Sequence, residues 1–126
     1  MFDFNQNHLN KKRYGKVPRG WHEACVHQSS IKNGKYGQYV IVDFELTEEK
    51  YKNILVPGYF TIYENGNIDT RFLRMGSAVE LKGEIENLTH VLAQINGKRL
   101  SIKVVHKFKE GKRNERAEDF DRLPPF

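Results

Sequence analysis

Cations lie close to aromatic rings around one Asn-Gly pair of this 126-residue sequence. Further cations are spaced along one face of a predicted strand near the end of the chain. Cations in a row can follow the phosphates of a single nucleic-acid strand, while rings stack on its unpaired bases and contribute about 1–3 kcal/mol per base. The residues that predict such a surface are Lys32, Lys35, Tyr36, Tyr39, Arg99, Lys103 and Lys107, with Trp21 beside them.

The same residues have a simpler explanation as the solvated face of ordinary strands. Trp21 in particular is also explained by packing at the rim of a core. The overall charge favours the binding interpretation, because a net charge of +5 and a pI near 9.3 suit a polyanionic partner.

The end of the chain has the opposite charge. From Glu115 onward, four acidic residues face two arginines, a net charge of −2, while residues 1–114 carry +7. This run closes on Pro-Pro-Phe, and we interpret it as a docking peptide whose terminal ring enters a pocket on another protein. The alternative is a tail that folds back onto the basic face of its own chain. The tail residues that we expect to bind a partner are Glu118, Asp119, Phe120, Asp121, Pro125 and Phe126.

An enzymatic interpretation depends on Asp43 and on Glu80-Leu81-Lys82. They loosely match the acid and Glu-x-Lys pattern of metal-dependent nucleases, in which two carboxylates hold a divalent cation. The residue types are common, and Glu80 falls at the end of a predicted helix. Cys25 and the histidines supply too few ligands for a structural zinc site. We therefore expect no catalytic activity, metal or cofactor, and we keep a nuclease acting on single-stranded or branched DNA as the alternative.

Short strands joined by tight turns must position these side chains. Tyr39–Leu46 alternates between apolar and polar residues, and Arg99–Lys107 does the same. Asn33-Gly34 predicts the first hairpin turn. The pattern predicts a mainly β fold, a small five-stranded antiparallel barrel of the OB-fold type with one or two short helices.

Two segments interrupt the strands with helical spacing. Ile68, Phe72, Met75 and Val79 lie on one face of a helix that Asn67 or Asp69 can cap. The segment Ile85–Ile95 fits either a helix or a strand, and we favour a short helix that ends at Asn96-Gly97.

Composition divides the chain into three parts. Residues 1–19 form a basic N-terminal arm, residues 20–109 the OB-fold-like domain that binds the single strand, and residues 110–126 the acidic tail. One cysteine, no apolar leader and no apolar run of about 20 residues indicate a cytoplasmic protein without membrane contact.

The tail and several short motifs resemble a known group of proteins. Glu118-Asp119-Phe120-Asp121 followed by Pro124-Pro125-Phe126 resembles the acidic tip of bacterial and phage single-stranded DNA-binding proteins. Arg122-Leu123 interrupts the acidic run, and the long linker of the bacterial proteins is missing. The body is similar in outline to small phage-encoded members at Pro18-x-Gly20-Trp21, Lys32-Asn33-Gly34 and Asn96-Gly97-Lys98-Arg99-Leu100.

This resemblance implies an OB fold and sequence-tolerant binding of single-stranded DNA during phage replication or recombination, in the cytoplasm of a bacterial host. It also implies recruitment of replication or recombination proteins through the tail, and it leaves a homodimer open. A further hypothesis is an interaction module that docks on a host protein without contacting DNA.

Overall fold

The alternation of apolar and polar residues produces a mainly β structure, and the described part of the chain has one sheet and two α-helices. The computed structural model describes residues 12–81 and 87–124. In chain order, the elements of this part are β1 (Arg13–Tyr14), β2 (Gly20–Gly34), β3 (Gly37–Leu46), a 3₁₀ helix (Glu49–Tyr51), β4 (Ile54–Thr61), α1 (Thr70–Ala78), α2 (Leu88–Ile95), β5 (Arg99–Lys109) and β6 (Lys112–Asp121).

The strands form one curled sheet in the order β1-β4-β3-β2-β5-β6. β1 pairs with β4 in parallel, and the other neighbours are antiparallel. The central strand β2 pairs with β3 along most of its length but with β5 only from Gly20 to Cys25. A bulge between Val26 and Gln28 lies where these two pairings separate. Because a bulge bends its strand, the sheet can curl into a half-barrel.

The curled sheet closes where its edge strand β6 approaches β4, the neighbour of the other edge strand β1. A Cβ added to Gly58 would lie 3.4 Å from the carbonyl oxygen of Ala117 and 3.1 Å from the Phe44 ring. The missing side chain of Gly58 therefore permits this close approach. Inside the closure, the Phe120 ring lies 5.4 Å from that of Phe44 and 5.5 Å from that of Phe60.

The core lies on the concave face of the sheet and is covered by the helices. Phe72 and Met75 of α1 and Leu92 and Ile95 of α2 pack into it. The alternation predicted for β3 and β5 is confirmed by their buried side chains, which are Val40, Val42, Phe44 and Leu46 in β3 and Leu100, Ile102 and Val104 in β5.

Both predicted helices are present. Asp69 caps α1 by accepting a hydrogen bond from the Arg71 backbone N–H at 3.0 Å. Asn87 caps α2 in the same way. α2 ends at Ile95, and Gly97 follows with a φ of 78°, as the Asn-Gly pair predicted. Within the described ranges, none of the helices has the length and apolar character that a membrane crossing requires.

Two details of the predicted sheet differ in the structure. Residues 12–81 and 87–124 form six strands in place of five, because the dipeptide Arg13–Tyr14 adds a parallel strand at the edge of β4. The β2–β3 turn consists of Lys35 and Tyr36, flanked by Gly34 and Gly37. Gly37 has a φ of 120°, so the glycine after the turn supplies the unusual backbone conformation that the sequence analysis assigned to Asn33-Gly34.

Residues 12–19, which the sequence analysis assigned to the basic arm, are attached to the sheet and the core. Val17 is only 1% exposed and belongs to the core. Its N–H donates to Glu115 Oε2 at 2.7 Å, and its carbonyl oxygen accepts from His106 Nε2 at 2.7 Å. Val17 is a single apolar residue among cations and belongs to no alternating or helical pattern. The sequence therefore could not show that it packs into the core. Residues 1–11 lie outside the described residues.

The boundary drawn for the acidic tail also differs from the structure, because residues 112–121 form β6. Phe120 is only 3% exposed and lies in the core. Glu118 forms an ion pair with Arg71, and Asp119 pairs with Arg74 at 2.6 Å. The acidic residues Glu118 and Asp119 thus attach β6 to α1.

Because Phe120 fills the closure of the sheet, Phe120→Ala should destabilise the protein by about 3–5 kcal/mol. Chemical denaturation of the full chain measures this difference. The control is Asp121→Ala, an exposed neighbour on the same strand, which should change the stability by no more than about 0.5 kcal/mol. Equal stability of the two variants would show that β6 is not part of the cooperative fold.

Candidate nucleic-acid interface

The β2–β3 hairpin and the convex face of β3 and β4 hold an aromatic cluster. Tyr39 points away from the core on β3, and its ring lies 5.9 Å from that of Tyr59 on β4, tilted by 40°. A Cβ on Gly34 would lie 3.0 Å from the Tyr39 ring, so the glycine leaves the space that this ring occupies. Tyr36 is 95% exposed at the turn, and Lys35 Nζ lies 5.6 Å from its ring centroid.

These tyrosines line an open cleft of about 290 Å³. Tyr36 and Tyr39 contribute the hairpin side, while Tyr59 and Thr61 contribute the β4 side. Tyrosine rings that border an open cleft are the kind of side chain on which unpaired bases stack. Lys32 lies directly opposite Tyr39 in the strand register and adds a cation at the border.

A cation that the sequence analysis missed covers the other side of this cluster. The Arg116 guanidinium lies over the Tyr59 ring, 4.4 Å from its centroid. Arg116 belongs to β6 and reaches Tyr59 only because β6 approaches β4. Within the described ranges, Arg116 takes part in none of the ion pairs. The sequence signal was hidden, because Arg116 stands among the acidic residues of the presumed tail.

A second cleft of about 260 Å³ continues from Arg116 along the same convex face. Its apolar lining residues are Leu55 and Pro57, and its polar and charged lining residues are Tyr14, Lys16, Arg113, Asn114, Glu115 and Arg116. Arg113 is also bound to Glu115, with 3.1 Å between Nε and Oε1. Arg116 lines the second cleft and covers Tyr59 of the first, so the two clefts form one continuous cationic and aromatic surface.

A buried carboxylate fixes β1 beside the second cleft. Asp43 accepts a hydrogen bond from the Tyr14 hydroxyl at 2.8 Å and one from Gln28 Nε2 at 3.3 Å. The Tyr14 ring is largely exposed, but its hydroxyl lies against Asp43. Burial of the hydroxyl, the hydrogen bond to Asp43 and the charge of Asp43 together raise the pKa of Tyr14 to about 12.

The eight residues predicted from the sequence fall into two groups. Lys35, Tyr36 and Tyr39 line the first cleft, and Lys32 lies opposite Tyr39 at its border. Trp21 lies opposite Lys103 near the other end of β2, exposed on the convex face. The remaining two cations are Arg99, which forms an ion pair with Glu23, and Lys107, which lies opposite Asn114.

The charge of Lys103 is partly balanced. Lys103 lies opposite Asp119 in the register of β5 and β6. The hydrogen bond from Arg74 is the main cause of the lowered pKa of Asp119, and the nearby positive charge of Lys103 lowers it further. The alternating cations of β5 are therefore not a uniform row of unpaired positive charge.

The residues predicted to dock a partner are dispersed by the fold. Glu118 and Asp119 are in ion pairs with α1, Phe120 is in the core, and Asp121 accepts a hydrogen bond from the Arg122 N–H at 2.8 Å. Phe120 cannot enter a pocket on another protein unless β6 leaves the sheet. Pro125 and Phe126 lie outside the described residues.

The described residues of the nuclease pattern lie in different surroundings. Asp43 is buried beneath Tyr14, whereas Glu80 follows α1 and pairs with Arg122 at 3.4 Å. Lys82 lies outside the described residues. Across residues 12–81 and 87–124, no group of three or more His, Cys, Asp and Glu side chains could hold a metal ion.

Comparison with known proteins identifies no family, since no family model matches the chain and no curated protein sequence matches it significantly.

The raised pKa of Tyr14 predicts a loss of stability at high pH. Because its folded-state pKa of about 12 exceeds its ordinary value of 10, the stabilisation is complete below pH 10 and is lost between pH 10 and 12. Tyrosine ionisation can be followed by ultraviolet absorbance at high pH in wild type and in Tyr14→Phe. The difference between the two titration curves should show one tyrosine that ionises near pH 12. A difference spectrum with a midpoint near 10 would contradict the contact with Asp43.

Proposed function

We propose that this protein binds single-stranded DNA without sequence preference and without catalysing a reaction on it. The observation that carries the proposal is the pair of rings Tyr39 and Tyr59 on a convex sheet face, bordered by Lys35 on one side and Arg116 on the other. Rings stack on bases of any sequence, and cations beside them neutralise the phosphates.

The strand order supports an OB-type barrel as the finer description of the fold. With β1 set aside, β2 pairs with both β3 and β5, β5 pairs with β6, and β6 approaches β4. Both helices lie between β4 and β5. In an OB fold, the face of the second and third strands and the loops after the first and fourth strands bind oligonucleotides. Here these parts correspond to the β3–β4 face and to the β2–β3 and β5–β6 hairpins.

The β5–β6 hairpin agrees with this assignment in composition. Phe108 is largely exposed near the tip of this hairpin, and packing into the core does not explain an apolar ring at this position. The neighbouring cations are Lys107, Lys109, Lys112 and Arg113. We propose that this hairpin and the β2–β3 hairpin bracket the strand that lies across β3 and β4.

The second part of the proposal is that the protein recruits replication or recombination proteins. In this proposal the protein is encoded by a phage and acts in the cytoplasm of the bacterial host. This part derives from the resemblance of the tip to that of single-stranded DNA-binding proteins. Since residues 118–120 are engaged in the fold, we assign recruitment to residues 123–126. A pull-down that compares the full chain with a deletion of these four residues tests this part independently of DNA binding.

Tyr39→Ala should weaken binding to oligo-dT by about 1–3 kcal/mol, because the variant lacks one stacking surface. Fluorescence titration at fixed salt measures the change. Tyr63→Ala is the matched control, since Tyr63 is exposed but lies outside the described clefts, and it should leave the affinity unchanged. Equal affinities of the two variants would overturn the assignment of the first cleft.

Arg116→Gln should reduce the salt dependence of oligo-dT binding. When a protein neutralises one phosphate fewer on a single strand, the slope of log K against log salt becomes shallower by about 0.7. Arg122→Gln is the control, because Arg122 is exposed at the end of β6 and pairs with Glu80. A slope that stays the same in Arg116→Gln would exclude this arginine as a ligand of the phosphates.

A further inference from the structure

The second half of β2 has an open edge. β5 accompanies β2 only from Gly20 to Cys25, whereas β3 continues to pair with it as far as Gly34. Beyond the bulge, the side of β2 that faces away from β3 therefore has no neighbouring strand in the part of the chain that the structure describes.

The register identifies which backbone groups point to this edge. The two-residue turn makes Gly34 and Gly37 a hydrogen-bonded pair, and such pairs alternate along an antiparallel ladder. The next pair, Asn33 and Gln38, is accordingly not hydrogen-bonded. The carbonyl oxygen of Gln38 instead accepts from the Ile62 N–H at 3.2 Å, on the β4 side. The residues that direct both N–H and C=O to the open edge are Ser29, Ile31 and Asn33.

This edge has few of the features that prevent strand pairing. Exposed edges are usually short or carry proline, a bulge or several charges. From residue 28 to residue 34 the strand is continuous, has no proline and has one charge, Lys32. Ile31 is 40% exposed on the same side of the sheet as the buried Val40. An added strand would complete the ladder and cover this side chain.

We propose that this edge pairs antiparallel with the same edge of a second copy of the chain, around a two-fold axis at Ile31. In this register Ile31 lies opposite its counterpart, and Ser29 lies opposite Asn33. Ser29, Ile31 and Asn33 are symmetric about Ile31, so each lies opposite a residue of the second copy that also points to the edge. About six backbone hydrogen bonds can therefore form between the two copies. A closed two-fold dimer with the same patch on both copies results.

The neighbouring registers are less favourable. Lys32 lies opposite Ser30 in the proposed register. A shift by two residues in one direction would place Lys32 opposite Lys32, and like charges directly opposite each other are destabilising. A shift in the other direction would place Asn33 opposite His27, which is left out of the ladder by the bulge. The edge therefore selects one register.

The pairing does not depend on the proposed function, but it would extend it. A two-fold axis perpendicular to the sheet places the convex faces of both copies on the same side. The cluster of Lys32 and Tyr39 in one copy would then lie beside that of the other, and one DNA strand could cross both.

Sedimentation equilibrium of the full chain tests the dimer. Ile31→Pro removes an N–H that points to the open edge, and Ile31→Lys places two lysines opposite each other. Each is expected to weaken self-association at least about tenfold, or about 1.4 kcal/mol. Tyr36→Lys adds the same charge at the tip of the same hairpin, away from the edge, and should leave the dimer intact. A monomeric wild type, or a dimer unaffected by both substitutions at Ile31, would overturn the proposal.

Disulfide formation tests the register in a Cys25→Ser background. Ile31→Cys should cross-link to itself on oxidation, because paired Cα atoms about 5.5 Å apart fall within disulfide range. Ser29→Cys should not, since its two copies would be offset by about 13 Å along the strand, but it should cross-link when mixed with Asn33→Cys. Self-cross-linking of Ser29→Cys would overturn the register. Titration of monomeric Ile31→Lys with oligo-dT distinguishes failure of the dimer from failure of DNA binding.

Discussion

The approach of β6 to β4 is the contact on which the other features of this structure depend. Gly58 permits it, and the Phe120 ring fills the space behind it, between Phe44 and Phe60. The same approach carries Arg116 over Tyr59 on the opposite side of the sheet. One closure thus completes the core on the concave face and brings a cation to the aromatic cluster on the convex face. A flat sheet with the same strands would have neither feature.

The distribution of charge follows from this closure. Arg71 and Arg74 of α1 are not simply solvated, because they pair with Glu118 and Asp119 of β6. The acidic run is therefore part of the attachment between helix and sheet, where it cannot act as a free polyanion that competes for the protein's own basic surface. Arg116 and Lys35 form no ion pair within the described ranges and lie against the rings of Tyr59 and Tyr36 instead. The contrast between a basic body and an acidic end is real, but the fold combines the two.

Sequence reasoning succeeded where the structure is local. Every second residue from Val40 to Leu46 is apolar, and Asp69 precedes a helical period, so β3 and the capped α1 could be recognised from neighbouring residues alone. It failed for β6, whose buried positions are occupied by Glu115, Ala117 and Phe120 and whose register with β5 shifts between Lys103 and Val104. A charged residue at a buried position interrupts the apolar alternation by which a strand is recognised. Its burial depends on partners almost a hundred positions away, such as the Val17 N–H.

The sequence by itself determined the mainly β class, the two helices, and the hairpin cluster of Lys32, Lys35, Tyr36 and Tyr39, because each depends on residues close together in the chain. Only the tertiary structure decided that Tyr59 and Arg116 complete this cluster and that Trp21 and Lys103 lie apart from it. It also decided that the acidic segment is a strand. The physical reason is that curling of the sheet sets which distant strands meet, and the pattern within any one strand does not record its curvature.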